Sequence, residues 1–92
     1  MLFAERNYRD FPESAFEPLL EPEAEAVRAG YAAGTVRRAW GRKDKPGAIC
    51  LIEVDSLEAA QAFVEALPLR KAGMLDVEIV PLGPYRGFGP RG

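Results

Sequence analysis

Four side chains in this 92-residue chain have types and spacings that could do chemistry: Arg38, Trp40, Glu53 and Glu78. All four fall in segments that read as strands. Side chains alternate along a strand, so Val36, Arg38 and Trp40 share one face of the first such segment. Ile49, Leu51 and Glu53 share one face of the next, and Asp76, Glu78 and Val80 one face of the last. The cleaner apolar sets, Ala48, Cys50, Ile52 and Val54 with Val77 and Ile79, should lie under helices. Glu53 and Glu78 then point to the open face, as candidate catalytic carboxylates. Arg38 and Trp40 are the candidate substrate-binding pair. Because their strand lies at a sheet edge, its alternation leaves open which of its faces points inward.

The chemistry would be proton transfer. An arginine fork can hold a substrate carboxylate through two parallel hydrogen bonds. A carboxylate in an apolar, partly dry pocket has a raised pKa and acts as a base near neutrality. Taking a proton beside a carbonyl and returning it two carbons away needs one such base and stabilisation of the enolate.

Plainer readings stand beside these. Arg38 with Glu53 makes a cross-strand ion pair, a common sheet stabiliser. Trp40 suits the core of a contact between subunits. Asp76 and Glu78 face solvent near an edge. Cys50 reads as a small buried strand residue, with no histidine or evident cation to activate it.

What is missing from the chain narrows the chemistry further. It has no histidine and one cysteine. A Ser-His-Asp or Cys-His arrangement is excluded, and no zinc site of the His/Cys kind can form within one chain. No metal and no cofactor is expected. An intrachain disulfide is impossible, which fits a reducing compartment and a cytoplasmic location. The net charge of −2 gives no broad cationic field for nucleic acid. The longest apolar runs fall far short of the roughly 18–20 residues that span a bilayer, so no membrane partner is expected. The start, Met1-Leu2-Phe3-Ala4-Glu5-Arg6, lacks the basic-then-apolar order of a signal peptide.

Proline and glycine divide the chain into the elements that must position these residues. Residues 1–6 read as a first strand and 7–18 as a polar approach. A helix is predicted over 19–32, with Leu20, Ala24, Val27 and Tyr31 on one face. Glu21, Glu23, Glu25 and Arg28 fall off that stripe, and Tyr31 packs. Pro22 suits only the first turn of this helix, and Gly34 is its stop. Residues 35–42 and 48–54 read as two strands joined by the turn Lys43-Asp44-Lys45-Pro46-Gly47.

Asp55 and Glu58 resemble a capping box that opens a second helix. Its apolar stripe is Leu57, Ala60, Phe63, Val64 and Leu67, and Pro68 ends it. A loop runs through Gly73 to a half-buried strand over 75–82. The Gly/Pro-rich tail, 83–92, carries Tyr85 and Phe88, which are expected to pack on a neighbouring subunit or to lid a pocket.

The whole chain, 1–92, thus reads as one α+β domain with the split ferredoxin-like order β-α-β-β-α-β. That order implies a four-stranded antiparallel sheet with two helices on one face. Ile49 and Leu51 alternate with Cys50 and Ile52, so both faces of the sheet are apolar. Two copies packing face to face would cover the second.

Four stretches, in order, resemble the muconolactone isomerase-like family. They are Arg38-Ala39-Trp40-Gly41-Arg42, Glu53-Val54-Asp55-Ser56, Leu67-Pro68-Leu69 and Asp76-Val77-Glu78-Ile79-Val80-Pro81-Leu82. The similarity spans roughly residues 1–88. The longer hairpin loop at 43–47 and the Tyr85-Arg86-Gly87-Phe88 ending look like a bacterial branch of that family. The resemblance implies a dimeric α+β barrel, often assembled into larger rings, with a pocket near subunit contacts. For the founding enzyme it implies a cofactor-free shift of a double bond in a small carboxylated lactone.

The leading expectation is therefore a homodimer, or multiples of one, that binds a small anionic organic molecule. It would be either a cofactor-independent isomerase or a non-catalytic ligand-binding or assembly module on the same barrel. A cofactor-free oxygenase is a weaker third reading, since no histidine is available.

Overall fold

Alternating apolar residues and a fully buried phenylalanine set the architecture. The computed structural model describes residues 2–6, 10–83 and 87. The elements run β1 (Leu2–Arg6), α1 (Glu13–Ala32), β2 (Val36–Gly41), β3 (Gly47–Ile52), α2 (Leu57–Glu65), α3 (Pro68–Lys71) and β4 (Leu75–Ile79). The strands form one sheet in the order β2-β3-β1-β4, and each neighbouring pair is antiparallel. This is a small α+β fold, compatible with the ferredoxin-like pattern. Among the described residues no helix is long and apolar enough to cross a membrane.

The helices cover one face of the sheet. Phe16, Cys50, Val64, Leu67, Leu69, Met74 and Leu75 form the buried cluster, with Ile52, Val77 and Ile79 packed against it. The alternation of β3 and β4 assigned Cys50, Ile52, Val77 and Ile79 to this side. Asp76 and Glu78 are exposed, and Ile49 and Leu51 are half-buried.

α1 departs most from expectation. It begins at Glu13, not near Leu19, and holds both Pro18 and Pro22 in its interior. Each proline removes a backbone donor and costs on the order of 3 kcal/mol in a helix interior. Burial provides the offset. Phe16 is 0% exposed, and Phe11, Ala15, Leu19 and Leu20 pack on the core around it. A phenylalanine or leucine side chain contributes about 1.5–3 kcal/mol when fully buried, and proportionately less when half-buried. Both prolines are exposed, so the carbonyls they leave without a helical partner can turn to water.

The other helix ends are governed by caps. Gly34, at φ +87°, closes α1 as expected. Gly34 N–H donates to the Tyr31 carbonyl at 3.1 Å and Thr35 N–H to the Gly30 carbonyl at 2.9 Å, a Schellman pair. Tyr31 does not pack, being 66% exposed. Gly30 lies one residue before it on the packed side, where a methyl group would come within 2.8 Å of Val36 Cγ2. α2 is capped by Ser56, not Asp55: its Oγ accepts from Ala59 N–H at 3.1 Å. Leu57, at the start of α2, is exposed. Pro68 opens α3 instead of closing α2, because its fixed φ and missing N–H suit a first helical position.

The β2–β3 pairing contains the decisive irregularity. Val36 pairs with Ile52, but Arg38 pairs with Leu51, so Arg37 is an extra residue. A bulge of this kind re-aims the side chains that follow it. Val36 therefore lies on the helix side, 2% exposed, while Arg38 and Trp40 lie on the open side with Leu51 and Ile49. Val36, Arg38 and Trp40 do not share a face, contrary to simple alternation.

Candidate functional site

The open face holds the four residues that the sequence singled out, but does not gather them. Arg38 and Trp40 lie on the edge strand β2, and Glu78 on the opposite edge strand β4. Three strand spacings, roughly 14 Å, separate those edges. Glu53 lies just past the end of β3, where its N–H donates to the Thr35 carbonyl at 2.8 Å. Its carboxylate accepts from Arg37 Nη1 at 2.7 Å, so the cross-strand pair is made by Arg37 and not by Arg38. Both partners of that pair are largely exposed. Trp40 is 45% exposed, beside the half-buried Ile49 with which it pairs. The expectation for Tyr85 and Phe88 lies outside the described residues.

A partly open, largely apolar space lies on the other side, between α1 and the hairpin end of β2 and β3. It is a cavity of about 400 Å³. Its floor is made by Ala39, Gly41, Gly47, Ala48 and Cys50, its near wall by Leu20, Glu23, Ala24, Val27 and Arg28, and its far end by Phe63, Leu67, Leu69 and Leu75; Trp40, between Ala39 and Gly41 on the edge strand, also lines it. The space follows from the sequence of the floor. Four of its five residues are glycine or alanine, too small to fill the gap that α1 leaves over the sheet. The cavity opens at the β2 edge, where Ala39 and Gly41 are exposed although they lie on or beside the helix-covered face.

Two of the lining residues are formally charged. Arg28 is at the wall and pairs with Glu21 on the outer surface of α1. Glu23 is half-buried, and its Oε1 accepts from Leu69 N–H at 3.0 Å. Burial pushes the Glu23 carboxyl above the ordinary glutamate value, and the Leu69 amide pulls part of the way back. Cys50 lies nearby. Burial, and then the negative charge of Glu23, push its thiol upward. It therefore remains a protonated, weakly reactive thiol at neutral pH. Among the described residues no group of three or more His, Cys, Asp or Glu side chains is placed to hold a metal ion.

A carboxylate whose pKa is raised by an apolar cavity is a stronger base than an ordinary one. The spacing of the apolar stripe in α1 leaves Glu23 off it. A signal for it was present: Glu23 stands three residues after Leu20 and four before Val27, which places it on the same side as both. A carboxylate on the packing side of a helix is the kind of buried polar residue that is informative.

No protein-family model matches the chain, and no curated protein matches it. Its fold is similar to that of a solved structure, the 5-chloro-2-hydroxyhydroquinone dehydrochlorinase TftG from Burkholderia phenoliruptrix AC1100, in complex with 2,5-dihydroxybenzoquinone. The likeness has a TM-score of 0.63 and covers 90% of this chain and 96% of that one. Sequence identity is 22%, so what the two demonstrably share is the fold. TftG is seen there with a small molecule bound.

Proposed function

We propose that this protein binds a small, acidic, oxygenated ring compound in the cavity beneath α1, and that Glu23 moves a proton on it. The observation that carries the reading is Glu23 itself, a half-buried carboxyl with a raised pKa in an otherwise largely apolar cavity of about 400 Å³. The reaction class is a cofactor-independent isomerisation. Glu23 Oε2 takes a proton from a ring carbon beside a carbonyl, and the C–H electrons pass into the conjugated carbonyl. The proton then returns to the vinylogous carbon, so no atom is gained or lost. Arg28 at the wall supplies positive charge for an anionic ligand. Two things support membership of the muconolactone isomerase-like family: the ordered motifs from Arg38 to Leu82, and the fold shared with TftG.

The test uses 2,5-dihydroxybenzoquinone as the probe, because the neighbour of like fold is in complex with it. In deuterated water, the protein is expected to speed exchange of the ring C–H protons. Amide shifts should be confined to α1, α3 and the β2–β3 floor. Glu23→Gln should remove about 99% of the acceleration, the low end of what general acid–base catalysis contributes. Equal exchange with and without Glu23, or shifts confined to Arg38 and Glu78, would refute the assignment.

A second reading concerns assembly. Trp40, exposed on the open face beside Ile49 and Leu51, supports a homodimer in which two sheets pack face to face. Arg38 and Trp40 would then be interface residues. Native mass spectrometry of the wild type and of Trp40→Glu tests this. A dimer lost in the variant supports it, and a wild-type monomer refutes it.

A further inference from the structure

We infer that the backbone N–H of Leu69 positions Glu23 for its reaction, reserving one carboxylate oxygen for the fold and leaving the other for the ligand. The inference rests on the proton-transfer reading of Glu23. It begins with the start of α3. First-turn amides of a helix have no intrahelical acceptor. Leu67, at the N-cap of α3, offers no side-chain oxygen, and Pro68 has no N–H. Leu69 therefore carries the first available amide. It finds an acceptor 46 residues away in the chain, Glu23 Oε1 at 3.0 Å. Among the described residues nothing donates to Glu23 Oε2.

That amide is not free to follow the carboxylate. Leu69 is itself 4% exposed in the core. α3 is closed at its far end by Gly73 N–H to the Arg70 carbonyl at 3.0 Å and Met74 N–H to the Leu69 carbonyl at 2.9 Å. Arg70 ties the same turn to the Leu75 carbonyl at 2.8 Å and to Glu65 at 3.2 Å. Turning the carboxyl group breaks the Leu69 bond, so the reacting oxygen has one orientation. The amide also favours the ionised carboxylate while burial favours the protonated one. The contact thus influences both where the proton is transferred and the pH at which this occurs.

The experiment replaces the Leu69 amide by an ester in a chain assembled from synthetic segments, which deletes the N–H and keeps the leucine side chain. The Glu23 carboxyl carbon, isotopically labelled, is titrated by NMR in both chains. Ring-proton exchange of 2,5-dihydroxybenzoquinone is followed against pH. The ester should raise the Glu23 midpoint by about half to one pH unit, and the pH profile of exchange should move with it. An unmoved midpoint overturns the inference whatever the probe does. A raised midpoint with no exchange in either chain upholds the Glu23–Leu69 coupling and overturns proton transfer, so the two failures are distinct. If the ester chain does not fold, the natural chain still decides. The Leu69 amide shift should titrate with the Glu23 midpoint, and a flat amide shift overturns the inference.

Discussion

Arg37 Nη1 reaches Glu53 Oε1 across 2.7 Å, at the bulge that turns Arg38 to the other side of the sheet. One extra residue in β2 thus decides which of two adjacent arginines makes the cross-strand pair. Both partners are exposed, with side chains 58% and 70% accessible, so solvent screens the attraction. Glu53→Ala should lower stability by less than about 1 kcal/mol, and added salt should shrink the effect. Urea unfolding of the two proteins at low and high salt measures it. A loss of several kcal/mol would mean that Glu53 does more than pair with Arg37.

Glu23 should impose a pH dependence on folding. Its folded-state pKa is raised, so the folded protein holds the proton more tightly than the unfolded chain. The stability this contributes is fully present below the ordinary glutamate value and is lost as pH rises through the folded value. Glu23→Gln should flatten that decline. Urea midpoints from about pH 4 to about pH 7.5 compare the two. A wild-type curve that climbs relative to the variant over this window contradicts the raised value.

Gly30 should not tolerate a side chain. Alanine is the better helix former by about 1 kcal/mol. A Cβ at this position, however, would meet Val36 Cγ2 at 2.8 Å and Phe63 Cε1 at 3.1 Å. Val36 is 2% exposed and β-branched, so it cannot swing aside. Overpacking typically costs about 1–3 kcal/mol, and Gly30→Ala should be destabilising on balance. A variant with a higher melting temperature would show that α1 can lift off β2 without cost.

Cys50 should resist thiol reagents in the folded protein. It is 6% exposed, and burial together with the Glu23 charge raises its pKa. Its reaction with an aromatic disulfide reagent at neutral pH should be slow, reaching the free-thiol rate in denaturant. Glu23→Gln should lower the Cys50 pKa, because it removes the nearby negative charge. Fast labelling of the native wild type would place the thiol at the surface.

Much of the frame was legible in local patterns. Alternation along residues 48–52 and 75–79 separated Cys50, Ile52, Val77 and Ile79 from Ile49, Leu51, Asp76 and Glu78, because side chains in a strand repeat every second residue. Gly34 marked the end of α1 for an equally local reason, its access to positive φ. The start of α1 was not legible. Pro18 and Pro22 oppose a helix locally, and only the full burial of Phe16 against distant elements overrules them.

The sequence by itself determined which residues alternate, where glycine and proline interrupt, and that histidine chemistry is absent. Those properties belong to single residues and near neighbours. Only the tertiary structure decided that Arg37 meets Glu53, that the glycine and alanine floor leaves space beneath α1, and that Glu23 faces that space. The bulge exists only once β2 has paired with β3. The cavity exists only once α1 lies over the sheet, and the Glu23 carboxyl gains its partner only when Leu69, 46 residues later, is folded against it.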